Sequence, residues 1–192
     1  MEKEILDSRA FKEIRRMNAA FLGLLYHCHG TPMASRLDGK SGLLGLIVAL
    51  TPLEAQILCT SRAALFSLQL DKPEEIVRGV ADEVLAAETA ESDRLVREFG
   101  LVASGFAWHL SLTSPLAASL LMGWSRERAK EFSALSLADV VRATLACSPA
   151  VRLRMCEHPR FWHDLIHSAR HKDGRGWEVA RTWSAQFVNQ RP

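Results

Sequence analysis

The feature that most constrains this chain is a recurrence. Displaced by 85 residues, LTPLEAQIL falls on LSLADVVRA without a gap, and Ala49-Leu50 falls on Ala134-Leu135. Each segment opens with a cap residue followed three positions later by an acid: Thr51 with Glu54, and Ser136 with Asp139. That is helix-start chemistry, in which a side-chain oxygen accepts from a free backbone N–H and the acid suits the positive end of the helix. The same displacement puts Phe21 on Phe106 and Leu25 on Leu110. A repeated unit that cannot cover its own apolar faces must pack against its neighbour. The expectation is therefore a tandem pair of helical units.

The composition agrees with that reading. Of 192 residues, 48% are hydrophobic and only 7% aromatic, and helix formers predominate over β-branched alternation. There is enough apolar material for a core, so general disorder is excluded. Apolar runs such as residues 42–50 fall far short of the roughly 20 residues a membrane span needs. The N-terminal MEKEILDSRAFKEIRR lacks an apolar stretch of the kind a signal peptide carries, so the expected compartment is the cytoplasm.

A first helix is predicted from Glu2 to about His29, with Ile5, Phe11, Ile14, Met17, Phe21, Leu24, Leu25 and Cys28 at three- and four-residue steps. Gly30 suits its end and Pro32 the start of the next helix. Thr51-Pro52-Leu53-Glu54 predicts a capping box with proline at the first helical position. Ala64–Leu70 is the best strand candidate, with Phe66, Leu68 and Leu70 on one face. Residues 73–98 carry eight acids against three bases and predict a helical connector. The organisation is thus a first unit over 1–72, a connector over 73–98, and a second unit with a basic C-terminal region over 99–192.

Met17–Asp71 resembles the D subunit of the bacterial flagellar master transcriptional regulator (FlhD-type). The residues that carry the resemblance are FLGLLYHCHG closing a long helix, then GLLGLIVALTPLEAQIL, then ALFSLQLD. A weaker echo runs through FAWHLSLTSPLAASLLMGW and ALSLADVVRA. The resemblance implies an all-α subunit with a small paired β segment; that family carries a single unit, whereas the recurrence here gives two tandem FlhD-like units with a short β segment in the first. It implies a dimer interface through Phe66, Leu68 and Leu70, either in a homo-oligomer or as an internal pseudo-dimer. It also implies assembly with a C-type (FlhC-like) subunit on promoter DNA and activation through RNA polymerase. Targets in this group include flagellar and conjugative-transfer genes. Phe66 stands where that family carries an intersubunit cysteine, so no covalent dimer is implied there. The family's DNA-contacting region corresponds to Ser168-Ala169-Arg170.

The charge distribution points the same way. Net charge is only +2, yet residues 151–192 hold eight Lys/Arg against four Asp/Glu. Arg152, Arg154, Arg160, Arg170, Lys172, Arg175 and Arg181 are the candidate DNA contacts, suited to phosphates more than to base edges. The alternative is a helical adaptor or antagonist that binds a regulator without touching DNA.

Catalytic signatures are absent, and no enzyme or cofactor is expected. Cys28, Cys59, Cys147 and Cys156 form no C-x-x-C pair and read as buried free thiols. His163, His167 and His171 share a helix face, but the run lacks the Glu of H-E-x-x-H, so no metal is assigned. His27, Cys28 and His29 are adjacent on a helix and diverge by about 100° each. Gly39-Lys40-Ser41 lacks the preceding strand and the first glycine of a phosphate loop.

Overall fold

A computed structural model describes residues 8–39, 41–70, 90–147 and 149–171. In chain order the elements are α1 (Ser8–Cys28), α2 (Pro32–Asp38), α3 (Leu43–Val48), α4 (Pro52–Cys59) and β1 (Phe66–Leu68). They continue with α5 (Glu91–Thr113), α6 (Pro115–Met122), α7 (Arg126–Ala134), α8 (Leu137–Ala146), β2 (Val151–Leu153) and α9 (Pro159–His171). The fold is mostly helical with one two-stranded sheet. Two expectations change here. The β segment is not confined to the first half, because Val151–Leu153 supplies a second strand. And α5 starts at Glu91, so one continuous helix crosses the expected boundary at 98/99. The rest of the connector lies outside the described residues, as does the first turn expected for helix 1.

Helix starts follow the sequence closely. Thr51 accepts from the Glu54 N–H, and the Glu54 carboxylate accepts from the Thr51 N–H at 2.7 Å, completing the capping box. Ser136 accepts from the Asp139 N–H, and its hydroxyl donates to the Asp139 carboxylate. Ser114 caps α6 and Ser125 caps α7 in the same way. Such caps are worth about 1 kcal/mol each.

The two long helices bury the same positions, but not at the gapless offset of 85. On α1 the buried residues include Ile14, Met17, Asn18, Phe21, Leu22, Leu25 and Cys28. On α5 they include Val96, Phe99, Gly100, Ala103, Ser104, Ala107 and Leu110, each 82 residues further on. An offset of 85 would set buried Met17 on Val102, which is 63% exposed. The offset grows through the loops. It is 83 between Thr31-Pro32 and Ser114-Pro115, 84 between Gly39 and Gly123, and 85 from Leu50 and Leu135 onward. Tyr26 and Trp108, again 82 apart, do the same job. The Tyr26 hydroxyl donates to the Leu50 carbonyl at 3.2 Å, and the Trp108 indole N–H to the Leu135 carbonyl at 2.8 Å.

The halves meet at the sheet. β1 and β2 pair antiparallel with Phe66 opposite Leu153, Ser67 opposite Arg152 and Leu68 opposite Val151. The Gln69 N–H donates to the Ala150 carbonyl at 2.8 Å, and the Arg154 N–H to the Leu65 carbonyl at 3.0 Å. Ser67 and Arg152 lie 85 apart, and so do Leu65 and Ala150, and Gln69 and Arg154. The ladder thus has a local two-fold centred on Ser67 and Arg152. Beneath it Phe21, Phe66 and Phe99 pack mutually, with ring centroids 5.1–5.5 Å apart. α1 packs on α4 and α5; α5 packs on α6, α7 and α8.

Candidate functional site

The most elaborated region of the molecule is the seam between the halves. Asn18, fully buried on α1, reads the backbone just before β1. Its amide N–H₂ donates to the Ala63 carbonyl at 3.0 Å, and its oxygen accepts from the Leu65 N–H at 2.9 Å. A buried amide without such partners would be costly, so this side chain sets where the strand begins. Phe66, Leu68 and Leu70, the residues expected at a dimer interface, are all buried within the one chain.

β2 and the residue that follows it contribute two arginines to the seam, Arg152 and Arg154, both among the expected DNA contacts. Arg154 is buried and donates to the carbonyls of Ala64 at 3.2 Å and Leu121 at 3.3 Å, one from each half. Burial pulls its guanidinium down to about 10, which still leaves it charged at neutral pH. No described acid pairs with it. Its compensation is the carbonyl-rich C-terminal end of α6, where a cation is favoured. Gly123 closes that helix at φ +71°, and a Cβ there would lie 2.6 Å from the Arg154 guanidinium carbon. Arg152, half-buried, sits the same way against Gly39 at the end of α2 and donates to the Cys156 sulfur at 3.6 Å. Arg154 is therefore withdrawn as a DNA contact, because a buried guanidinium cannot reach a phosphate. Arg152 is largely engaged internally.

α9 reaches back across the seam onto α4 and α3. Trp162, Leu165, Ile166 and Ala169 form its buried side, and the Trp162 indole N–H donates to the Arg154 carbonyl at 2.6 Å. Arg170, a third expected DNA contact, approaches Glu54 at 3.4 Å. Glu54 is held below the ordinary carboxylate range, first by the Thr51 N–H and hydroxyl and then by Arg170. The opposite face of α9 presents Arg160, His163 and His167 to solvent. Arg160 has only a loose approach to Asp164 at 3.8 Å and remains accessible. Lys172, Arg175, Arg181, Trp177 and Trp183 lie outside the described residues.

The sequence-level histidine and cysteine candidates do not converge. Among the described residues no group of three His, Cys, Asp or Glu side chains is placed to hold a metal ion. Cys28 is buried while His27 and His29 are exposed, as helix geometry requires. Burial pushes the Cys28, Cys59 and Cys156 thiols up, away from the thiolate form. Trp124 plugs the core against Phe132, with the Arg128 guanidinium over its ring. Among the described residues no helix is long and apolar enough to cross a membrane.

One basic surface escaped the sequence reading. Arg9, Lys12, Arg15 and Arg16 are all exposed on α1. The net charge of the N-terminal region hides them, since Glu2, Glu4, Asp7 and Glu13 lie close in sequence. Only their helical spacing, read for its polar face instead of its apolar one, would have singled them out. No protein-family model, curated protein or solved structure matches this chain.

Proposed function

We propose that this chain is a non-catalytic, FlhD-type subunit of a transcription regulator, in which two units are fused so that their strand pairing closes inside one molecule. One observation carries the reading: the ladder centred on Ser67 and Arg152, where residues 85 apart in sequence make equivalent hydrogen bonds to each other's strands. The resemblance implies a strand-like segment that pairs across a dimer, and here that segment pairs with its own counterpart. The drifting offset of the helices, the shared cap chemistry and the Tyr26 and Trp108 anchors support duplication. With the pairing surface closed, the outer helix faces are left to a C-type partner, promoter DNA and RNA polymerase.

The internal engagement of Arg152 and Arg154 favours a second reading, a helical adaptor or antagonist that holds a regulator off DNA. Co-expression with a C-type subunit, a solution mass and a promoter shift separate the two. A complex that shifts promoter DNA supports the first reading. A complex that forms and suppresses the partner's own shift supports the second. Absence of any complex overturns both.

A further inference from the structure

We infer that the exposed ridge of α1 is a docking surface for the phosphodiester backbone of double-stranded nucleic acid. The inference takes its choice of polyanion from the regulatory reading, but rests on a contrast between corresponding helices. Arg9, Lys12 and Arg16 follow one another at steps of three and four, so they line one ridge, with Arg15 on its flank. Arg62 extends the flank by lying over the Phe11 ring at 5.5 Å. Further along the same ridge come the exposed Ala20 and Gly23, whose small size lets a backbone approach closely, and then the exposed His27.

At the corresponding positions of α5, 82 residues on, stand Glu91, Arg94 and Glu98. There the central Arg94 lies 4.0 Å from each carboxylate, an ion-paired triplet with one acid in excess. In α1 the same central position is Lys12, flanked by two arginines. Like charges at these spacings destabilise a helix, and opposite charges stabilise it. Since α5 buries the matching apolar stripe without a cationic ridge, folding does not require one on α1. Glu13 meets Arg16 at 2.7 Å, but Arg16 is 75% exposed, and such a pair yields readily to a phosphate.

The test is binding of the full-length chain to a fluorescent random-sequence duplex of about 30 base pairs, titrated over salt. Arg9→Glu, Lys12→Glu and Arg16→Glu together should weaken binding at least ~10-fold and flatten the salt dependence by about three phosphate contacts. The milder Gln triple should show a smaller loss with unchanged thermal stability, which separates binding from folding. Glu2→Gln, Glu4→Gln and Asp7→Asn should tighten binding, and Glu91→Arg with Glu98→Arg should create a second site. Binding unaffected by the α1 changes but lost on Arg160, Lys172, Arg175 and Arg181→Glu overturns the ridge and leaves the regulatory reading standing. Failure of the unaltered chain to bind duplex at about 50 mM salt overturns the ridge, while the partner assay above still decides the regulatory reading. Ridge-dependent capture of an acidic polypeptide in place of duplex overturns it too.

Discussion

The two long helices carry the same buried pattern and opposite polar faces. α1 and α5 sink matching positions into one core, anchor a matching loop through Tyr26 and Trp108, and then diverge in charge at the surface. Burial is set by the neighbour each helix must pack against, and the local two-fold gives both the same kind of neighbour. The polar faces carry exposed side chains among the described residues and are free to differ. Asymmetry in the core is correspondingly small and specific. Asn18 reads a strand's backbone where Gly100 allows Ala150 and Thr144 to close in, with would-be Cβ contacts of 3.3 and 3.4 Å.

The comparison breaks most readily at the seam. Phe66→Ala should cost about 3–5 kcal/mol in chemical denaturation, because it empties a fully buried ring site. Its counterpart Val151→Ala should cost roughly 2 kcal/mol, since fewer methyl groups leave the core. Equal losses would contradict the unequal packing of the two strands. Asn18→Ala should cost roughly 2–4 kcal/mol by stranding a buried carbonyl and N–H, against about 1–2 kcal/mol for Gly100→Ala through overpacking.

Next comes the arginine at the helix end. Arg154→Ala should destabilise by about 3 kcal/mol, by leaving a void and unmet carbonyls. Arg154→Met should be markedly milder, because it keeps the volume and removes the cost of burying a charge. Gly123→Ala should cost about 1–3 kcal/mol for the left-handed backbone alone. Part of its total should vanish in the Arg154→Met background, a coupling measurable by a double-mutant cycle. The caps give smaller effects. Thr51→Ala and Ser136→Ala should each cost about 1 kcal/mol and add independently.

The smallest expected effect is a pH dependence. Glu54 has a depressed pKa, so its contribution is complete above the ordinary glutamate value of about 4.3 and is lost as pH falls through the folded-state value. Melting temperature should fall more on acidification in the unaltered chain than in Glu54→Gln. Arg170→Ala should reduce only part of that difference, because the Thr51 N–H is the larger cause.

The sequence by itself determined the local events. Thr51 and Ser136 start helices, Pro32 opens one after Gly30, and the matched caps pointed to a repeated unit, because capping depends on residues three apart. It also located β1, though its extent shrank from Ala64–Leu70 to Phe66–Leu68. Only the tertiary structure decided the partner of that strand, the creeping offset from 82 to 85, and the fate of the arginines. Loop insertions are invisible when only caps and apolar residues are matched. An arginine reads as a surface charge in any sequence. Whether it reaches solvent, as Arg160 does, or turns inward to a helix end, as Arg154 does, depends on carbonyls supplied by residues 33 and 90 positions away.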